Sequence, residues 1–501
     1  MRVRADRRHL IRGEPAAAAL LLLLLLALSG CVREPSHSAP RAAGGATSLA
    51  ADSLALTARE TAFLDTLERR TFGYFWDLSD ARTGLTPDRA PTRSFASVGA
   101  MGFALTAYPI GAERGWITRA QARERVLATL RFLWQARQGA DAAGCIGHHG
   151  FFYHFLDPDR GVRWERVELS TMDTALLMAG VLFCQSYFER SDAVEDTIRA
   201  LADSLYARVD WRWAQPRPPT IVLGWTPEEG FLPYDWRGYN EAMLLHVLAL
   251  GSPSHPVGAD TWDAWTSGYR WGTFHGYPQV GFAPLFGHQY TQVWLDLRGV
   301  RDSTMRARGI DYFENSRRAT LSQRAYAVEN PGGFAGYGER LWGLTACDGP
   351  LDGTVTIGGR ERAFRTYAAR GASFTTVEDD GTIAPTAAGG SIPFAPGPTI
   401  RTLIAIREAY GDRIFSTYGF LDAFNPTLTR NVPVHHGRVD PSAGWFDTDY
   451  LGIDQGPILA MAENARSGLV WRYMRGNAHV VRGLRRAGFA GGWLDSIAAG
   501  R

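Results

Sequence analysis

The carboxylates of this chain that stand where apolar helices begin are the residues best suited to acid–base chemistry. The segment Gly224-Trp-Thr-Pro-Glu-Glu-Gly-Phe-Leu-Pro-Tyr-Asp-Trp-Arg-Gly-Tyr-Asn-Glu241 is dense in aromatic and acidic residues and runs into Ala242-Met-Leu-Leu-His-Val-Leu-Ala-Leu250. Asn240 reads as an N-cap, Glu241 falls in the first turn, and Gly251 ends the helix. His246 is its one polar residue, so burial on every side is expected. Glu168 and Asp173 occur together in Glu168-Leu-Ser-Thr-Met-Asp173, and Asp447, Asp449 and Asp454 lie within eight residues of one another in Gly444-Trp-Phe-Asp-Thr-Asp-Tyr-Leu-Gly-Ile-Asp-Gln-Gly-Pro457. Several have a purely structural reading. Ser170-x-x-Asp173 is a capping box, Glu241 suits a helix dipole, and Asp454 reads as the N-cap of the last long apolar helix. Asp447 and Asp449 have no such role.

Aromatic residues crowd the same loops: Trp225, Tyr234, Trp236, Tyr239, Phe286, Tyr290, Trp342 and Trp445. Core packing explains any one of them. As a group beside Gly, Pro and carboxylates they suit the flat faces of sugars, with Arg89, Arg237, His288 and Gln289 as hydrogen-bonding partners. Paired carboxylates with such platforms point to glycoside hydrolysis, in which a protonated acid serves the leaving oxygen and an ionised one activates water or attacks the anomeric carbon. The 447–454 acids do not match an EF-hand loop, and there is no Gly-rich phosphate loop, nucleophile elbow or Cys/His cluster. No cofactor and no metal are expected. Gly99-x-x-Gly102 reads as helix packing.

The elements that must position these residues alternate in character. Thr57-Ala-Arg-Glu60 is a capping box that opens a helix with a stripe of Phe63, Leu64, Leu67, Phe72 and Phe75, ending near Asp77. Ser94–Pro109 is apolar all round, Thr118–Arg137 amphipathic, Ser170–Phe188 apolar again, and Asp192–Val209 amphipathic. Helices with a polar face thus take turns with helices that have none, the pattern of an inner ring inside an outer ring. Further helices are expected over about 262–269, 288–297, 311–328, 341–346, 399–410 and 455–474, with one or two β-hairpins in the Gly-rich stretch 348–393. The fold class is all-α, an (α/α)6 toroid with small β-hairpins in its loops, and the N-terminal ends of its inner helices converge on one cavity.

With 45% apolar residues and a net charge of +2, the 501-residue chain has material for a large core and no basic field for nucleic acid. Arg2, Arg4, Arg7, Arg8 and Arg12 precede the apolar run Ala16–Leu28, which ends in Leu28-Ser29-Gly30-Cys31. Residues 1–30 read as a lipoprotein signal peptide, Cys31 as the lipidated residue, 31–56 as a flexible tether, and 57–496 as one catalytic domain. Val32 after the cysteine suggests the outer membrane of a Gram-negative bacterium. The remaining three cysteines read as buried thiols, one disulfide being the alternative.

Several long segments together resemble the glycoamylase-like domain family, whose members include the endo-β-1,2-glucanases of glycoside hydrolase family 144. They are Thr71-Phe-Gly-Tyr-Phe-Trp-Asp77, Leu105-Thr-Ala-Tyr-Pro-Ile110, Gly150-Phe-Phe-Tyr-His-Phe-Leu156, Glu168-Leu-Ser-Thr-Met-Asp173, Gly238-Tyr-Asn-Glu-Ala-Met243, Pro284-Leu-Phe-Gly-His-Gln289, Tyr312-Phe-Glu-Asn-Ser-Arg-Arg318, Trp342-Gly-Leu-Thr-Ala-Cys-Asp348 and Gly452-Ile-Asp-Gln-Gly-Pro457. The resemblance runs from about residue 60 to 495. It implies an (α/α)6 barrel and a metal-free, periplasmic or surface enzyme that cleaves linear β-1,2-glucan internally with inversion; a monomer is expected. It implies Glu241 as general acid and Asp173 as the essential carboxylate across the cleft. The base stays open between Asp449 and Asp454, with Asp447 behind them. On the residues themselves, Glu168, Arg89, Trp236, Tyr239, His288, Gln289, Trp342, Trp445 and Asp447 are the expected sugar-binding set. The alternatives are a glucosidase or transglycosylase on another β-glucan, or a glucan-binding lipoprotein without catalysis.

Overall fold

Within residues 56–497, twelve of the helices alternate in chain order between a layer that meets solvent and a layer that is largely buried. The structure, a computed structural model, describes residues 56–497. The signal segment, Cys31 and nearly all of the tether lie outside the described residues. The outer helices are α1 (Ala58–Leu78), α3 (Arg119–Gln135), α5 (Ala193–Arg208), α7 (Asp260–Thr266), α9 (Tyr312–Glu329) and α11 (Pro396–Tyr410). The inner helices are α2 (Val98–Glu113), α4 (Thr171–Tyr187), α6 (Met243–Gly251), α8 (Phe286–Trp294), α10 (Pro385–Gly389) and α12 (Gly452–Ser467). Thr57 closes the expected capping box at α1, Thr118 closes another at α3, and Asp192 caps α5. The inner helices α6, α8 and α10 are buried at every position.

The inner ring closes through direct packing. α2 packs on α4, α4 on α6, α6 on α8, α8 on α12, and α12 on both α10 and α2. Gln289 of α8 joins α10 by donating to the Ala387 carbonyl at 2.9 Å and to Ser391 Oγ at 2.8 Å. The α2–α4 crossing is backbone on backbone. A Cβ on Gly102 would stand 2.3 Å from the Leu176 carbonyl oxygen, and one on Gly180 would stand 2.2 Å from that of Gly102. The expected end of α2 at Pro109 falls short, because the helix runs on to Glu113. Pro109 leaves the Leu105 carbonyl without its helical donor, and the Cys184 thiol of α4 donates to it at 3.1 Å. Cys145, Cys184 and Cys347 are all free and buried.

Three expectations for the second half need correction. Residues 341–346 are extended rather than helical. Gly343 has φ +143°, and Gln323 of α9 takes up the neighbouring backbone, accepting from Leu344 N at 2.7 Å and donating to its carbonyl at 2.8 Å. The run 455–474 divides at Gly468, which is left-handed with φ 65°, into α12 and the helix Leu469–Met474. α7 is short, and the unanticipated C-terminal helix Ala478–Arg486 covers α6 instead. Gly483 permits this contact, since a Cβ there would lie 2.1 Å from the Val247 carbonyl oxygen.

Strand segments occupy the connections, including the hairpins Gly353–Ile357/Arg360–Phe364 and Gly371–Ser373/Thr376–Glu378. Short ladders tie the entrances of the inner helices together. Ala96–Ser97, before α2, pairs with Phe155–Leu156. Leu169–Ser170, before α4, pairs with both Phe152–Tyr153 and Gly224–Trp225. Tyr450–Leu451, before α12, pairs with Arg89–Ala90. The N-terminal ends of α2, α4 and α12 are therefore held at one end of the ring. Among the described residues no helix is long and apolar enough to cross a membrane.

The helix crossing supplies a stability test. Gly102→Ala should lower unfolding stability by about 1–3 kcal/mol through overpacking. Gly338→Ala, with nothing within 4 Å of the new methyl, should stay within about 0.5 kcal/mol of the parent. Chemical denaturation of both variants checks this.

Candidate active site

Glu241 sits just outside α6 rather than in its first turn. Asn240 Oδ1 accepts the Ala242 N–H at 3.0 Å, closing a tight turn, and the helix starts at Met243 without a side-chain cap. The dipole role expected of Glu241 is thereby removed. Its carbonyl is held by the Thr291 hydroxyl of α8 at 3.2 Å. The carboxyl group is 5% exposed, and its Oε2 has no partner. Burial, aided by the charge of Asp173, pushes Glu241 up to about 7 against a backbone N–H that favours the anion.

Asp173 lies in the first turn of α4, where Ser170 accepts its N–H at 3.1 Å. The Ser170 hydroxyl in turn donates to Asp173 Oδ2 at 2.5 Å. The capping contact therefore exists, and the carboxylate also accepts a hydrogen bond from the cap's own hydroxyl. Gly99 is not only a packing glycine, since a Cβ there would stand 2.7 Å from Asp173 Oδ1. Glu168 reaches His154 Nδ1 at 2.8 Å, and His154 Nε2 stands 3.4 Å from Asp173 Oδ2. Burial opposes charge on His154, but Asp173, Glu168 and Asp88 together raise it to about 9.

A second bank of acids forms at the entrance of α12. The chain enters from the strand Tyr450–Leu451 and is helical from Gly452, so Asp454 lies in the first turn and is not the N-cap. Asp449 Oδ1 accepts the Thr92 N–H at 3.0 Å, and its Oδ2 is 3.5 Å from Arg89 Nη1. Arg89 also pairs with Asp348 at 2.7 Å, so its charge is spent on carboxylates rather than left for a sugar. Asp447, fully buried, accepts the N–H groups of Thr448 and Asp449 at 2.6 and 3.2 Å. Asp422 accepts the Asp348 N–H at 2.7 Å.

Asp348, Asp422 and Asp447 bring carboxylate oxygens within 4.8 Å of one another, which among the described residues is the one such group close enough to hold a cation. Asp348 is already engaged by Arg89, leaving Asp422 Oδ1 and Asp447 Oδ2 as the unpartnered ligand atoms. Protons meet the same need. Burial and neighbouring carboxylates hold Asp422 and Asp447 well above the usual range, and burial pushes Asp454 up to about 7. Asp422 and Asp454 face each other closely enough to share a hydrogen bond.

Tyr290 and Tyr367 are phenols whose surroundings include these acids. Burial first, then Asp454, Glu241 and Asp173, keep the Tyr290 phenol protonated. Tyr367 is kept so by burial and by Asp454, Asp422, Asp348 and Asp88. Tyr290 thus feels Asp454 as well as Glu241 and Asp173.

The expected sugar-binding residues separate into two groups. Tyr239 stacks on Tyr312 with ring centroids 6.0 Å apart and touches the His288 ring at 5.0 Å. His288 Nε2 faces the Phe282 carbonyl at 3.0 Å, and burial lowers its pKa to about 4, leaving a neutral ring with an unpartnered Nδ1. Trp236, 8% exposed, donates its indole N–H to Thr171 Oγ1 at 3.0 Å. Trp342 and Trp445, however, are 0% exposed, so they are core rather than platforms. Trp445 donates to the His436 carbonyl at 2.8 Å. Gln289 spends its amide on α10. The sequence reading passed over His154, Asp88, Asp348, Asp422 and Tyr367. His154 and Asp348 stand inside motifs it had singled out, whereas the other three carry no local signal.

With this geometry, the chain was compared with known proteins. A family model described as "Putative glucoamylase" matches residues 233–478, a span from just before Glu241 to beyond α12. A crystal structure from Bacteroides uniformis bearing the same description is 30% identical, covers 87% of this chain and 99% of its own, and superposes with a TM-score of 0.74. The endo-β-1,2-glucanase of Chitinophaga pinensis, solved with sophorotriose and glucose, is 27% identical, covers 88% of this chain and 100% of its own, with a TM-score of 0.74. The exo β-1,2-glucooligosaccharide sophorohydrolase of Parabacteroides distasonis is 28% identical over 460 residues, 84% of this chain, and the chain spans only 57% of that relative's length. The alternating double ring, the acids gathered at its inner-helix entrances and this full-length similarity lead to one conclusion: the chain belongs to the glycoamylase-like family.

Proposed function

We propose that this protein is a glycoside hydrolase that cleaves β-1,2-glucan to short oligosaccharides. The observation that carries the reading is Glu241, a buried carboxyl group with a free oxygen and a proton affinity raised to about 7. Such a group keeps a proton at neutral pH and can give it to a leaving oxygen. The substrate class rests on the glucanase and sophorohydrolase similar to this chain. Internal cleavage is preferred because the endo-acting relative is matched over 100% of its chain and the exo-acting one over 57%.

In the proposed reaction Glu241 protonates the glycosidic oxygen as the C1–O bond breaks. A carboxylate of the opposite bank takes a proton from the water that attacks C1 from the other face, with inversion. Asp449 suits this base role, because the Thr92 N–H and the Arg89 guanidinium are partners for an anion. Asp454, raised to about 7, is less ready to accept a proton from water at neutral pH. The charge of Asp173 helps to keep the proton on Glu241. The N-terminal segment supports export and attachment through lipid on Cys31, to the outer membrane of a Gram-negative cell.

Glu241→Gln should lower turnover of linear β-1,2-glucan by about 10²–10⁴-fold, the usual worth of a general acid. Counting new reducing ends and sizing the products tests this. An inert wild type that still binds glucan would point instead to the non-catalytic reading. The acid must carry its proton, so activity is lost as pH rises through its pKa. The basic limb of kcat/KM should therefore fall with a midpoint near 7, given the value to which burial raises Glu241; a flat profile to pH 9 would contradict the assignment. Cys31→Ser should abolish incorporation of labelled fatty acid and move the protein from the membrane to the soluble envelope fraction.

A further inference from the structure

A half-buried histidine beside the acid pair has no part in the proposed proton transfers, yet its surroundings are unusual. His154 lies between the strands Phe151–Tyr153 and Phe155–Leu156. Its N–H donates to the Glu168 carbonyl at 3.0 Å and its carbonyl accepts from Val98 at 3.2 Å, so its backbone bridges the entrances of α4 and α2. The ring stacks on Phe155 with centroids 4.0 Å apart, and Phe155 rests on Phe95 at 3.9 Å. The imidazole cannot swing away.

Both ring nitrogens meet carboxylates, Nδ1 at Glu168 Oε1 (2.8 Å) and Nε2 at Asp173 Oδ2 (3.4 Å). A neutral imidazole has one N–H and one lone pair, so it would aim a lone pair at one of these anions; only the doubly protonated ring is matched at both ends. The charged groups that face it are Glu168 and Asp173 at the start of α4 and Asp88 from the loop before α2. Arg89, the cation nearest Asp88 at 3.9 Å, is turned toward Asp348.

We propose that His154 is a positioning residue held as a permanent imidazolium, which clamps Glu168 and Asp173 and keeps Asp173 ionised so that Glu241 holds the proton of the site. This deepens the reading of Glu241 as the acid and rests on it. Without the cation, Asp173 competes for the proton. A neutral Asp173 also ceases to raise Glu241. The active pH window then narrows from both sides, its acid limb moving up and its basic limb moving down.

Two measurements test this. The first needs no substrate: 15N NMR of histidine-labelled protein, with the His154 signals assigned by their loss in His154→Asn. Both nitrogens should be protonated at pH 7.5 and lose a proton only near pH 9, where its carboxylate neighbours place the group. A neutral tautomer at pH 7.5 would overturn the proposal. The second compares pH profiles on linear β-1,2-glucan. His154→Gln retains a donor toward Asp173 and His154→Asn one toward Glu168, each without charge. Both should move the acid limb of kcat/KM up by a unit or more, with the loss mainly in kcat. Wild-type limbs in folded His154→Gln would overturn the proposal, since a neutral donor would then suffice. If the variants do not fold, the NMR titration of the wild type decides. If the wild type leaves the glucan uncut, the hydrolase reading falls while the NMR result still decides the charge on His154.

Discussion

The organising constraint is that this ring buries more carboxylates at one end than it supplies with cations. Glu241, Asp173, Glu168, Asp88, Asp348, Asp422, Asp447, Asp449 and Asp454 gather there, while Arg89 and His154 are the cations that contact them. Ionised groups in a poorly solvated site repel one another, so some must keep protons. The two cations decide which. Arg89 engages Asp348 and Asp449, and His154 engages Glu168 and Asp173, leaving Glu241, Asp422, Asp447 and Asp454 with raised proton affinity. A division into proton holders and anions is what general acid–base catalysis requires.

The fold produces this crowding by its connectivity. The inner helices α2, α4 and α12 are entered from segments at the same end, and the two-residue ladders before them fix those entrances to one another. Glycines then let the parts approach. Gly102 and Gly180 bring α2 against α4, and Gly99 leaves room for the Asp173 carboxylate over α2. The same glycine-lined surface serves packing at one position and the site at another, three residues apart.

The double ring was legible because burial imposes a strong pattern. Helices such as α4, with no polar face, alternate with helices such as α5, with a clear stripe. What escaped was short or held by distant partners. α10 has five residues, too few for a period to show. Residues 341–346 look helical until Gln323, from another element, claims the backbone of Leu344. In the site, Glu241 feels the charge of Asp173, while Asp449 and Asp454 lie at the entrance of α12. Asp88, Asp422 and Tyr367 arrive from separate loops, and nothing local marks them. Trp342 and Trp445 misled because an aromatic in a Gly-rich loop looks the same whether tertiary packing buries or displays it. Asp454 was misplaced by one turn, since the strand Tyr450–Leu451 starts the helix earlier than a capping acid would.

The central claim is that Glu241, and not an acid of the opposite bank, faces the scissile oxygen. A crystal structure of the Glu241→Gln variant with a β-1,2-linked gluco-oligosaccharide spanning the two banks tests it most directly. The account predicts the amide of residue 241 within about 3 Å of a glycosidic oxygen, the reach of a general acid, with Asp449 on the other face of the same sugar. A bound oligosaccharide whose glycosidic oxygens all lie against Asp422 or Asp454, with residue 241 out of contact, would contradict it.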